Sequence, residues 1–135
     1  MSRVYLAGAI HHVTPHEATI WRRYATLKLE GLYEISDPTA DKDLFRPDAN
    51  TTFYVPEHIV RTDIAAIDNS DIILAEVSRT NVPYHGTSME IMYAAQQGKK
   101  VYVWGGCNSY WVRYHATKIF LTLDDAIKFL LEAKE

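Results

Sequence analysis

Residues Asp71 to Val77 contain the run Ile72-Ile73-Leu74-Ala75 with no polar interruption. A strand with one wet face alternates apolar and polar residues. An unbroken apolar run of this length reads instead as a central parallel strand covered on both sides. Parallel neighbours must be joined by crossover connections, usually helices. The rest of the chain therefore has to supply further strands and the helices between them. Val4-Tyr5-Leu6-Ala7, stopped by Gly8, and Val101-Tyr102-Val103-Trp104, stopped by Gly105-Gly106, are two more buried strand candidates. Leu32 to Ile35 and Ile119 to Leu121 are shorter ones.

Helix signals fall in the gaps. Thr14, Pro15 and Glu17 form an N-cap, a proline at the first helical position and a capping-box acid. Ile20, Trp21, Tyr24, Leu27 and Leu29 follow at helical spacing, and Gly31 ends the run. Val55 to Asn69 carries Ile59, Val60, Ile64 and Ile67 on one face. Thr87 to Gln97 reads as a third helix. Thr122 opens a fourth, with Ala126, Ile127, Phe129, Leu130 and Ala133 facing inward. Strands and helices thus alternate. The expected fold is α/β: a doubly wound, mostly parallel sheet of four or five strands with helices on both faces, Rossmann- or flavodoxin-like. The whole chain, 1–135, is expected to be one domain.

Sites in such folds lie beyond the carboxyl ends of the strands. The loops expected there are Gly8 to Thr14, Ser36 to Asn50, Ser78 to Thr87 and Gly105 to Ala116. Composition narrows what they can bind. Lys plus Arg is 14 against 17 for Asp plus Glu, a net charge of −3 with no basic cluster. That argues against a nucleic-acid polymer or an anionic membrane as partner. The lone Cys107 excludes an internal disulfide and a Cys-based zinc site. No apolar run approaches a membrane span, and the first residues lack a secretory pattern, so a cytoplasmic location is expected. There is neither a G-x-G-x-x-G fingerprint nor a P-loop, and His11, His12, His16 and His85 do not have metal-site spacing. No cofactor and no metal are expected.

The sharpest local feature is Gly86-Thr87-Ser88-Met89-Glu90, following the buried strand. Thr87 and Glu90 have capping-box spacing, and a box alone would explain them. A carboxylate in the first turn of a helix is also held ionised by the helix dipole and aimed into the cleft, where it can act as a nucleophile. Asp68 and Asp71 flank the start of the central strand, and Gly8 with Ile10 forms the turn after the first strand. His85 is a candidate acid or base. Tyr110, Trp111 and Tyr114 form an aromatic cluster suited to stacking or a subunit contact.

In order and spacing, Val4-Tyr5-Leu6-Ala7-Gly8, Asp71-Ile72-Ile73-Leu74-Ala75, Gly86-Thr87-Ser88-Met89-Glu90 and Gly98-Lys99-Lys100-Val101 resemble the nucleoside 2-deoxyribosyltransferase family. The resemblance implies that Glu90 attacks C1′ of deoxyribose, that Tyr5 positions it and that Asp71 belongs to the active site. It places Asn108 or Ser109 in the segment lent to a neighbouring subunit, hence a homodimer or an assembly of dimers. Gly8, Ile10, Asp68, Tyr84, His85, Gly86 and Ser88 would then contact a small-molecule nucleoside or nucleotide and its nucleobase. Relatives that hydrolyse nucleoside 5′-monophosphates resemble the chain at Ala75-Glu76-Val77 and at Ser109 and Arg113. One departure stands out: the transferases' aspartate six residues before the glutamate is replaced here by Tyr84. The implied function is transfer of deoxyribose between bases, with monophosphate hydrolysis as the alternative. A non-catalytic nucleotide-sensing module on the same fold is a third possibility.

Overall fold

A computed structural model describes residues 1–40, 56–106 and 109–133. The strands are β1 (Arg3–Ala7), β2 (Glu34–Ser36), β3 (Ile72–Glu76), β4 (Lys100–Trp104) and β5 (Lys118–Phe120). The helices are α1 (Pro15–Leu29), α2 (Pro56–Asp68), α3 (His85–Gln96), α4 (Tyr110–His115) and α5 (Leu123–Glu132). All five strands are parallel, in the order β2-β1-β3-β4-β5. The run around Leu74 is the middle strand, as its unbroken apolar character requires.

Alternation along each strand sorts the core into two layers. Val4, Leu6, Leu74 and Tyr102 meet Trp21, Ala25 and Leu29 of α1 and Ala126, Ile127 and Leu130 of α5. Tyr5, Ala7, Ile73, Ala75, Val101 and Val103 meet Ile67 of α2, Ile91 and Ala94 of α3 and Val112 of α4. The strand order reverses direction between β1 and β3, which makes their carboxyl ends the switch point where a crevice opens.

Several helices differ from the sequence reading. The inward stripe of α1 is Ala18, Trp21, Arg22, Ala25 and Leu29, while Ile20, Tyr24 and Leu27 face solvent. Alanines at Ala18 and Ala25 let the helix lie close on the sheet, and a stripe chosen by hydrophobicity passes them over. Val60 of α2 and Ala133 beyond α5 are likewise exposed. The segment expected to be a loop up to Ala116 contains α4, started by the Ser109 hydroxyl, which accepts from the Val112 N–H at 3.3 Å. The capping box at Thr14 and the cap at Thr122 form as expected. Much of the long segment expected from Ser36 to Asn50 lies outside the described residues.

Candidate active site

Glu90 lies on α3, in the second turn from the carboxyl edge of the sheet. Its Oε2 accepts a 2.7 Å hydrogen bond from the Tyr5 hydroxyl. Tyr5 is on β1 and only 1% exposed, so the pair bridges the sheet and the helix that covers it. The capping box expected at Thr87 and Glu90 does not form. The helix begins two residues earlier, at His85, with Tyr84 in the cap position and no side-chain cap bond, and Thr87 is buried. Glu90 therefore turns toward β1 and away from its own helix start.

Its electrostatics also differ from a dipole-stabilised anion. Burial pushes the Glu90 carboxyl up to about 7; the Tyr5 bond opposes this, Asp63 adds to it and Arg22 opposes it. Burial and the neighbouring carboxylate drive the Tyr5 hydroxyl far above its ordinary range, so it remains a donor at every working pH. Asp63, on α2, is pushed up to about 6 by burial, against the pull of Arg22. Two protonatable carboxyls, coupled electrostatically, thus have pKa values near neutrality, and separated values within one site mark acid and base candidates.

Asp63 opens onto a cleft of about 280 Å³ at this edge, lined also by Ile10, His11, Asp37, His58 and Ile59. Asp37 accepts from the Thr39 N–H and hydroxyl at 2.8 and 2.7 Å. Gly8 stands where a side chain would collide. An added Cβ would lie 3.0 Å from Trp21 Cζ2, 3.2 Å from Glu76 Cβ and 3.3 Å from an Arg22 nitrogen. Its φ is not positive, so close packing, rather than a sharp left-handed turn, calls for glycine there. Trp21 and Trp104 meet edge to face at 5.6 Å between centroids. Both indole N–H groups are buried without a partner.

Tyr84 is held in a separate network. Its hydroxyl donates to Glu76 Oε2 at 2.5 Å and accepts from the Arg79 N–H at 2.9 Å. Glu76 is 4% exposed and also accepts from the Ser78 N–H and hydroxyl. Arg79 reaches Glu17 at 2.7 Å, tying this loop to the first turn of α1. The Tyr84 proton is thus committed to Glu76, and burial with that bond raises its pKa. In this arrangement Tyr84 is a brace, with no proton free for a leaving group.

His85 and Gly86 are exposed on the first turn of α3, and Ser88 is half-buried in the turn that carries Glu90. Ser109 and Arg113 are exposed on α4, which also starts from the carboxyl edge. Asn108 and Cys107 lie outside the described residues.

Two expected site residues stand at the opposite edge. Asp71 Oδ2 accepts from the Arg3 N–H at 2.9 Å, where the strands begin. Asp68, the last residue of α2, accepts from the Tyr93 hydroxyl at 2.7 Å and from Gln97 at 3.2 Å. Those bonds hold its carboxyl below the usual range. The reason is the crossover itself. Helix α2 runs back from the carboxyl edge to the amino edge, so its end and the start of β3 face away from the cleft. Asp63 lies five residues earlier, about 7.5 Å along the helix toward the cleft. It was missed although it stands on the stripe of Ile59 and Ile67 at i±4, a carboxylate on the face meant for the core. Arg22 was missed in the same way, between Ala18 and Ala25.

Among the described residues, no group of three or more His, Cys, Asp or Glu side chains could hold a metal ion. No helix among them is long and apolar enough to cross a membrane.

The sequence profile of the nucleoside 2-deoxyribosyltransferases matches residues 4–116, most of the chain. The chain belongs to the nucleoside 2-deoxyribosyltransferase family. Family members are glycosyl transferases or N-glycosidases, so this is an enzyme of the N-glycosidic bond, and the non-catalytic sensing alternative falls away. A 2-deoxyribosyltransferase from Bacillus psychrosaccharolyticus superposes with a TM-score of 0.72 at 17% identity, over 93% of this chain and 90% of that one. The CMP N-glycosidase of Clostridium botulinum superposes at 0.64 and 21% identity, over 95% and 97%. At these identities the likeness shows a shared fold. No curated protein matches the sequence significantly.

The pKa of Glu90 sets a stability test. Its folded value, about 7, lies above the ordinary 4.5, so the native state binds the proton more tightly than the unfolded chain. Stability from this group is present below about 4.5 and is lost as pH rises through about 7. Glu90→Gln keeps an acceptor for Tyr5 and removes the charge. In thermal unfolding it should melt above wild type at pH 8, with the gap narrowing toward pH 5. A gap that is absent at pH 8, or the same at both pH values, would contradict a buried, uphill carboxylate.

Proposed function

We propose that this enzyme is a nucleoside 2-deoxyribosyltransferase, with Glu90 as nucleophile. The observation that carries this reading is the part-buried Glu90–Tyr5 pair, coupled electrostatically to Asp63, which lines the cleft. Tyr5 holds Oε2, which leaves Oε1 to approach C1′ of a 2′-deoxynucleoside. As the C1′–N bond breaks, its electron pair leaves with the base, and positive charge grows on C1′ and the ring oxygen. Glu90 stabilises that charge and closes it into a deoxyribosyl ester, as in retaining glycosidases. The protonated Asp63 carboxyl gives its proton to the departing base nitrogen. A second base then attacks C1′ from the side the first one left, Glu90 departs as carboxylate, and Asp63 takes up the incoming base's proton. With Asp63 near 6 and Glu90 near 7, the one-proton state between these values holds its proton mainly on Glu90, and the working form is the minor one that carries it on Asp63.

Gly8, Ile10, Gly86 and Ser88 would frame the sugar and base, with His85 at the rim. Hydrolysis of nucleoside 5′-monophosphates is the second reading. It is favoured by the Tyr84–Glu76 brace, which stands where the transferases carry an aspartate, and by Ser109 with Arg113. We assign the chain small-molecule substrates, no nucleic-acid polymer, no membrane and no cofactor, and place its work in the cytoplasm.

Incubating the enzyme with deoxynucleosides or deoxynucleoside monophosphates, with and without a second base, separates the readings by chromatography. Transfer predicts a new nucleoside only when the acceptor is added. Glu90→Ala should lower that rate by about 1,000-fold or more, over 4 kcal/mol of barrier. Free base released from monophosphates regardless of acceptor, with nucleosides inert, would establish hydrolysis instead.

The site is further proposed to be completed by a second copy of the chain. Tyr110, Trp111 and Tyr114 are 82%, 73% and 84% exposed on one short helix, an aromatic surface unusual for a free monomer. Packed against a second copy, that helix would bring Asn108, Ser109 and Arg113 toward the partner's Glu90. Trp111→Lys should then yield a folded monomer with little activity. Full specific activity in a monomeric Trp111→Lys protein, shown by sedimentation, would refute the shared site.

A further inference from the structure

Among the described residues, Arg22 is the only fully buried Lys or Arg, with 0% exposure, and it makes no short bond to a carboxylate. Its Nε donates to the Leu6 carbonyl at 3.1 Å, and its two terminal nitrogens donate to the Gly8 carbonyl at 3.0 Å and the Ala18 carbonyl at 2.7 Å. Leu6 and Gly8 are not arbitrary partners. Carbonyls along a strand alternate between its two neighbours. On β1 the Arg3 oxygen accepts from Asp71, on the β3 side, and the Ser2 oxygen accepts from Glu34, on the β2 side. Even-numbered carbonyls therefore face β2. That strand ends at Ser36, in register with Tyr5, and two residues later comes Pro38, which has no N–H to give. The Leu6 and Gly8 carbonyls would face an empty rung, and the guanidinium fills it.

The consequence is a fork. The chain beyond Ser36 is released from β1, and the gap between the two is the cleft, with Ile10 and His11 on one side and Asp37 and Pro38 on the other. The cation lies at the base of that fork. Asp37 Oδ1 is 3.9 Å from Nε. Tyr5 of β1, Glu90 of α3 and Glu76 of β3 also act on the guanidinium, and Asp63 of α2 feels its pull. Glu90 in turn is bonded to Tyr5 and feels the charges of Asp63 and Arg22.

We propose that Arg22 is a positioning residue for glycosyl transfer: it replaces a rung of the sheet, which opens the β1–β2 fork into the substrate cleft, and it fixes a positive charge at the edge of the sheet that carries Glu90. The inference rests on the reading of Glu90 as the reacting group. Lysine can carry the charge, but it lacks the planar fork that reaches three carbonyls at once.

The test pairs two variants with two readouts: the Glu90 titration midpoint, from carboxyl ¹³C NMR on folded protein, and KM for a 2′-deoxynucleoside. Arg22→Gln should raise the midpoint by about one pH unit, as expected when a nearby opposite charge is removed. Arg22→Lys should leave the midpoint in place and raise KM about tenfold, the effect of losing a hydrogen bond from a charged group. An unmoved midpoint in Arg22→Gln would overturn the electrostatic role. So would a raised midpoint in Arg22→Lys, which decides the matter if the glutamine variant does not fold. An unchanged KM in Arg22→Lys would overturn the structural role. The titration needs no turnover. A wild-type protein inert toward every deoxynucleoside would remove the proposed reaction and leave the Arg22 result standing.

Discussion

The Tyr5–Glu90 hydrogen bond joins the two parts of the fold that the site depends on. Tyr5 projects from the middle of β1 into the layer formed by α2 and α3, and Glu90 comes down from α3 to meet it. Parallel pairing of β1 with β3 fixes the tyrosine, and packing of Ile91 and Ala94 on the sheet fixes the helix. A carboxylate exposed on a helix start would be anionic and well hydrated. Held under the helix, Glu90 loses water that one phenol does not fully replace, and its proton affinity rises. In the proposed reaction, where Glu90 must part with its hydration before attack, that loss would already be met by folding.

Such a site needs a positive charge nearby, and among the described residues that line the cleft there is no Lys or Arg. Arg22 supplies one from beneath, anchored to backbone carbonyls, with Asp37 close enough to feel it. Around it the acids divide by environment. The Oε2 of Glu76 accepts from Ser78 and Tyr84 and braces a loop. Glu90 and Asp63 remain protonatable. One buried cation and a set of unequal acids give this edge of the sheet its chemistry. At the amino edge Asp71 instead accepts from the Arg3 N–H and Asp68 from the Tyr93 hydroxyl.

Much of the architecture was readable from residue order. The apolar run at Ile72–Ala75 required a central parallel strand, and the caps at Thr14 and Thr122 marked two helix starts. Glu90 and Tyr5 were legible through the family resemblance, and the structure places them in contact. What escaped was whatever depended on direction in space. Asp71 leads the right strand, but from the wrong end. Asp63 and Arg22 are charged residues on apolar stripes, visible as pattern breaks only when the alanines beside them are counted as core. The capping box at Thr87 satisfied local spacing and yielded to a tertiary bond, because a phenol held in the core competed with a solvent-exposed cap amide. The short α4 has too few residues to show a period.

The central claim is that Glu90 becomes covalently attached to C1′. Mixing the enzyme with a 2′-deoxynucleoside in the absence of any acceptor base, quenching in acid and measuring intact and peptide masses tests it directly. The account predicts a deoxyribosyl adduct on the peptide that contains Glu90, removed when an acceptor base is added before the quench. Turnover without any adduct on that peptide, or an adduct on a different residue, would contradict it.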